Sequence, residues 1–338
     1  MPQADVDALR RAWKEANLAP LWESKRAHRP APPPARSYLW SWEKIRPLIA
    51  GAITVASPEA VERRVLQLVP PHRSSEDGEQ TSHTLAANIQ ILLPGETARP
   101  HRHTMNALRF VLEGAGAVTV VDGKACPMEE GDLVLTPAWT WHEHIHRGNA
   151  PIVWLDALDV PLHHHLGTGA FQPGPAADLP ETMPDAAFAV ANLVPDVEYA
   201  TREYSPAFRY PYADAAAAVA AAPQARDGSR RVRYINPLSA GAAMALIDCF
   251  LVQLDAGIKT LPFRTNASSV CCVVEGEGES EVGGDTIRWK PRDIFTLPQG
   301  NRIVHRSAGG AARLFQVSDR DIYARLGLLK EEYGNIAT

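Results

Sequence analysis

Cysteine is scarce in this chain of 338 residues: there are four, Cys126, Cys249, Cys271 and Cys272, and their spacing matches no zinc motif. Cys271 and Cys272 are adjacent, so on a strand they point to opposite faces and are poor partners for each other. All four read as reduced core thiols of a cytosolic protein. Long apolar runs are absent too. None reaches the roughly 20 residues that a membrane span needs. The first residues, MPQADVDALRRAWKEANLAP, are charged and lack the apolar stretch that directs secretion. A cytoplasmic protein is expected. Nor is there a marked excess of charge: 34 Lys and Arg stand against 39 Asp and Glu, a net −5, with both signs interspersed. Nucleic acid and membrane surfaces are therefore not expected as partners.

What the chain has is enough apolar content, 45% hydrophobic against 22% charged, for a large core in two domains. Residues 5–17 show a helical pattern, with Val6, Leu9, Ala12 and Trp13 on one face. A proline-rich arm, SKRAHRPAPPPARSYLW, runs from about residue 24 to 40 and is expected to lie across another surface. A short helix is expected around 43–50. Short β-like runs follow: Arg63–Val69, Thr84–Leu93, Leu108–Leu112, Ala117–Val121, Leu133–Thr136 and Ile152–Asp156. Residues 166–232 are rich in Pro and Ala, with a helical run at 214–222, and read as a connector. The β pattern resumes at Met244–Leu254, Val270–Val274, Glu279–Val282, Asp293–Leu297 and Leu314–Val317, and a helix at 319–329 closes the chain. The expected organisation is an arm (1–60), a β-domain (61–165), a connector (166–232) and a second β-domain (233–338).

The two β regions look like copies. Gly95-x5-His101-x-His103, Glu113-Gly114-x-Gly116 and Gly131-Asp132-x4-Pro137 recur as Gly257-x5-Phe263-x-Thr265, Glu275-Gly276-x-Gly278 and Arg292-Asp293-x4-Pro298. His101 and Phe263 are 162 residues apart, Pro137 and Pro298 161. A near-constant offset across several anchors indicates an internal duplication.

His101, His103 and His142 are the chain's most informative residues. An HxH on a strand puts two imidazoles on one face. A third on a partner strand completes three nitrogen ligands and leaves positions open for chemistry. Even spacing would put Met105, Ala107 and Arg109 on that same face if the strand runs on regularly. The second copy has Phe263, Thr265 and Ile303 at the ligand positions, so one metal per chain is expected, in the first copy. His305 corresponds to His144. The run His163-His164-His165 reads as a solvated loop, since contiguous histidines do not converge in regular structure.

These motifs resemble the cupin pattern, G-x5-H-x-H-x3,4-E-x6-G followed by G-x5-P-x-G-x2-H-x3-N. The chain departs from it with Ala107 for the metal-binding Glu, Trp139 for Gly and His146 for Asn. The segments HRHTMNALRFVLEGAGAVTVVDG, GDLVLTPAWTWHEH and PIVWLDALDVP resemble gentisate 1,2-dioxygenase and its salicylate- and 1-hydroxy-2-naphthoate-cleaving relatives, over nearly the whole chain. The resemblance implies an all-β bicupin of two jelly-roll barrels, commonly homotetrameric, with one Fe(II) in the first. It implies an aromatic 2-hydroxy acid and O2 as reactants. The ring opens between the carboxyl- and hydroxyl-bearing carbons.

By the same resemblance His101, His103 and His142 are the iron ligands. Arg109 binds the substrate carboxylate; the plainer alternative is an internal salt bridge. Arg63 is preferred over Arg64 as a pocket cation, because Arg63 shares a strand face with Val65, a second substrate contact. Gln90 also contacts substrate, His144 hydrogen-bonds the reacting groups, and Asp156 orients this region. Met105 stands where the family commonly has Gln, and Val65 is bulkier than the Gly or Ala of some relatives. Both point away from a 5-hydroxyl and toward another 5-substituent on a salicylate. The rival readings are a non-oxidative metal-cupin isomerase and a non-catalytic bicupin.

Overall fold

Alternation of apolar and polar residues over short runs yields strands, and strands dominate. A computed structural model describes residues 2–24, 33–56, 61, 63–73, 80–175, 179, 182–190, 192–197 and 203–334. It separates into two units, residues 1–34 and 35–338. In the first, the helix Gln3–Glu15 buries no residue. Trp13 meets Trp22 edge-on at 5.9 Å, and Arg10 pairs with Glu23 at 2.7 Å. Much of the proline-rich arm, residues 25–32, lies outside the described residues. No helix among the described residues is long and apolar enough to cross a membrane.

The second unit is built from four antiparallel sheets. One six-stranded sheet runs, in spatial order, Arg209–Tyr210, Leu133–Thr136, Ala107–Glu113, Ile152–Leu158, Ala86–Leu92, Val65–Gln67. A five-stranded sheet runs Phe171–Pro173, Thr97–His103, His142–His146, Ala117–Val121, Lys124–Met128. Val111, Val134 and Trp154 of the former pack with Ala117, Val121 and Met128 of the latter, so the two form a sandwich. The second copy repeats both sheets in the same spatial order. There Leu39–Trp40, the end of the arm, pairs with Ile294–Leu297 as an edge strand. The sheets of each copy stay separate, so the expected barrels are open sandwiches.

The two six-stranded sheets share one core. Ala87, Ile89, Ile91, Leu108, Phe110 and Leu135 meet Cys249, Leu251, Cys272, Phe315 and Val317, and Phe110 stacks on Phe315 at 4.0 Å. Cys272 belongs to this core and Cys271 to the interior of the second sandwich, on opposite faces as alternation requires. All four cysteines are free and buried. The strand Ala86–Leu92 is buried throughout because both its faces are covered. Its Ala87, Ile89 and Ile91 join the shared core, which leaves Asn88 and Gln90 facing into the first sandwich.

The repeated Glu-Gly-x-Gly motif has a steric cause. Gly114 has φ +90°, and a Cβ there would lie 2.5 Å from the Pro151 carbonyl oxygen; Gly276 (φ +73°) would meet Ala311 in the same way. Three expectations are corrected. Residues 166–232 do more than connect, because Phe171–Pro173 and Arg209–Tyr210 complete sheets of the first copy and Arg230–Arg233 one of the second. The last helix is shorter, Arg320–Arg325, and a strand, Glu331–Tyr333, follows it. His163, His164 and His165 lie on the helix Val160–Leu166, not in a loop; Pro161 in its first turn and left-handed Gly167 at its end favour that helix.

Candidate metal centre

The HxH strand ends at His103, and the chain turns before Arg109. The regular run expected from His101 through Arg109 is therefore broken. Asn106 sets the turn: its backbone N–H and side-chain amide donate to the two oxygens of fully buried Asp159, at 2.8 and 2.9 Å. His101 and His103 thus lie on the five-stranded sheet and Arg109 on the six-stranded sheet. They meet across the sandwich interior instead of along one strand. Met105 sits in the turn, half-buried. Its carbonyl accepts from His103 Nδ1 at 2.8 Å, and its sulfur accepts from Thr104 Oγ1 at 3.5 Å.

His101 pairs with His142 across adjacent strands. One ring nitrogen from each of His101, His103 and His142 falls within 4.8 Å of the others. All three rings are buried. His101 Nδ1 lies 2.8 Å from the Arg99 carbonyl oxygen, His103 Nδ1 2.8 Å from that of Met105 and His142 Nδ1 3.0 Å from that of Thr140. A carbonyl can only accept, so each Nδ1 carries the proton and each Nε2 is left with a free lone pair. None of the three Nε2 atoms has a partner. Burial, with the nearby Arg63 and Arg109 charges, pushes His101 down to about 3 and His103 to about 4; His142 is lowered as well. Three neutral, converging, unpartnered imidazole nitrogens fit a divalent transition metal, and a donor set of this kind does not by itself select which one. Ala107, in the usual Glu position, is fully buried and supplies no ligand.

The facing sheet brings in the cations and amides. Arg109 pairs with Asp156 across adjacent strands, and Asp156 with Asn88. Gln90 pairs with both Trp154 and Val65. Directly paired residues share a face, so all of these look into the same interior. Arg109, 2% exposed, donates to Thr136 Oγ1, and its Nε lies 3.5 Å from Asp156 Oδ1 without a hydrogen bond. Asp156 also accepts from Trp154 Nε1 at 2.9 Å. Burial lowers Arg109 to about 10 and raises Asp156, but Arg109 stays charged at neutral pH. Arg64 pairs with Glu96, whereas the Arg63 charge bears on His101, His103, His144 and Asp156. Gln90 is 1% exposed with neither amide atom partnered. His144 is buried beside Trp154, its Nδ1 2.9 Å from Thr119 Oγ1 and its Nε2 without a partner.

Three participants gave no signal in the sequence. Phe171, from the segment read as a connector, stacks on His101 at 5.4 Å. Thr136 and Thr119 hold Arg109 and His144. A buried threonine looks like any other β-branched strand residue until its hydroxyl partner is known.

Residues 88–158 match the model of the cupin domain. The chain is 36% identical to a gentisate 1,2-dioxygenase of Ralstonia sp, over 98% of this chain and 94% of that protein. It is also 36% identical to a 5-aminosalicylate 1,2-dioxygenase of Comamonas sp, over 98% and 91%. A variant of the salicylate 1,2-dioxygenase of Pseudoaminobacter salicylatoxidans, solved in complex with gentisate, superposes with a TM-score of 0.89 at 28% identity, covering 99% of this chain and 97% of that one. With such similarity running through both copies, the chain belongs to the gentisate 1,2-dioxygenase family of cupin proteins.

Proposed function

We infer that this protein is an Fe(II)-dependent ring-cleaving dioxygenase. Its substrate is an aromatic 2-hydroxy acid, gentisate or a 5-substituted salicylate, opened between the carboxyl- and hydroxyl-bearing carbons. The observation that carries this reading is the convergence of three unpartnered Nε2 atoms opposite the buried, charged Arg109. Iron held by His101, His103 and His142 would supply the redox chemistry toward oxygen.

The chain's own residues do the rest. Two cations, Arg63 and Arg109, against the carboxylate of Asp156 leave the interior around the neutral imidazoles net positive, so it attracts an anionic substrate. Arg109 binds the carboxylate, with its guanidinium held by Thr136 and Asp156. Gln90 offers one donor and one acceptor to substrate oxygens. His144 Nε2 holds or accepts a proton near the reacting hydroxyl, and Thr119 fixes its ring. Val65, paired with Gln90, and Met105, in the turn after His103, bias the pocket toward a substituent other than hydroxyl at position 5. The functional form is a cytoplasmic homotetramer. Steady-state comparison of gentisate, salicylate and 5-halo-, 5-nitro- and 5-aminosalicylate tests the substrate reading. A higher kcat/KM for a 5-substituted salicylate supports it, and clear preference for gentisate overturns it.

A further inference from the structure

Arg102 lies between two of the three ligand histidines. Since His101 and His103 face inward, its side chain emerges on the outer face of the sheet. There its guanidinium is sandwiched between two indoles, 4.5 Å from the Trp139 ring centroid and 4.7 Å from that of Trp141. Both distances are within cation–π range. Trp141 immediately precedes His142, the third ligand, and Trp139 lies in the Pro137–Thr140 turn that leads to it. The same two stretches of backbone are therefore tied twice: inside through the three imidazoles, outside through an indole–guanidinium–indole stack.

The tie continues along the backbone. Trp139 N–H donates to the His103 carbonyl at 2.7 Å. Trp141 N–H donates to Asp122 Oδ1 at 2.8 Å, and Arg102 Nε donates to Gln172 Oε1 at 2.9 Å. Trp139 is held at φ +62°, a left-handed conformation that favours glycine, and is 42% exposed. A bulky, partly exposed residue in that conformation is hard to explain by its own stability. It is explained if the ring's function is to hold Arg102.

We propose that Arg102, Trp139 and Trp141 form an external clamp that sets the spacing of the His101–His103 strand and the His142 turn, and thereby the affinity and geometry of the metal site. They are positioning residues: they touch neither metal nor substrate. The proposal rests on the metal-binding reading of the triad.

The test is anaerobic titration of the full-length metal-free protein with Co(II), following the visible ligand-field spectrum, alongside the metal-free melting temperature. Three variants are compared: Arg102→Gln, Arg102→Lys and Trp139→Gly. Supporting groups around metal ligands typically change affinity on the order of 10- to 100-fold. Arg102→Gln and Trp139→Gly are expected to weaken Co(II) binding by about that factor and to alter the spectrum, and Arg102→Lys to lie between. Trp139→Gly relieves the left-handed φ, so its metal-free melting temperature should be equal to or above that of the parent. Parent-like Co(II) affinity and spectrum in Arg102→Gln and Trp139→Gly would overturn the proposal. So would weakening that merely tracks a lowered metal-free melting temperature. If the parent protein itself binds no Co(II), the metal-site reading fails, and the clamp with it.

Discussion

Arg109 and Asp156 sit opposite each other on neighbouring strands, with Arg109 Nε 3.5 Å from Asp156 Oδ1 and both side chains buried. Neither alternative offered by the sequence, substrate ligand or internal salt bridge, describes the pair fully. The contact is long, Nε makes no hydrogen bond, and Thr136 occupies another guanidinium nitrogen. Asp156 places a counter-charge beside the guanidinium but leaves its Nε without a hydrogen bond.

Replacing Arg109 should therefore affect substrate and fold, but not metal. Arg109→Ala is expected to raise KM or lower kcat/KM by about 10- to 100-fold, as loss of a charge-assisted hydrogen bond does. It should also destabilise the protein by roughly 3 kcal/mol, because Asp156 is left buried without its counter-charge. Metal content per chain should be unchanged. Loss of metal in this variant would show that the role assigned to Arg109 is wrong.

Gln90 predicts opposite effects on stability and turnover. Its amide is buried with no protein partner for either polar atom, and a buried amide left unsatisfied costs about 1–3 kcal/mol. Gln90→Met should raise the substrate-free melting temperature by a few degrees while lowering kcat/KM. A fall in both would mean that Gln90 is structural.

How much of this was legible in the sequence differs from residue to residue. The triad was, because HxH and a third His at cupin spacing carry their meaning in residue type alone. The duplication was also legible, because Gly114 and Gly276 answer the same steric demand and so recur at a fixed offset. The path from His103 to Arg109 was not. Alternation suggested one strand, but Asn106 and Asp159, 53 residues apart, turn the chain between them. Long-range hydrogen bonds of this kind leave no local pattern. The same holds for Phe171, whose contact with His101 depends on an edge strand contributed by a Pro- and Ala-rich stretch.

Acid should act on the fold before it competes for the metal. His101 and His103 have folded values near 3 and 4, well below the ordinary 6.5. A depressed histidine is neutral when folded while the unfolded chain takes up a proton. Stability is then fully present above about pH 6.5 and falls as pH drops from there toward the folded values, on the order of 1 kcal/mol per pH unit for each histidine. Metal affinity, in contrast, should be nearly flat from pH 7.5 to 5, since the folded site has no protons to displace. An affinity that falls steeply already below pH 6.5 would contradict this.

The second copy should bind no metal. Phe263, Thr265 and Ile303 replace its ligands, and the group formed by His101, His103 and His142 is the one cluster of this kind among the described residues. Elemental analysis should give one metal per chain, and none after His142→Ala. Two per chain would require a site elsewhere.

The most direct test of the central claim is oxygen consumption by the Fe(II)-loaded protein, prepared without oxygen and then given gentisate or a 5-substituted salicylate. One O2 should be taken up per aromatic ring lost, with both oxygen atoms recovered in the ring-opened product and no uptake by His142→Ala. Ring opening without oxygen, or no oxygen uptake with any 2-hydroxybenzoate, would contradict the account.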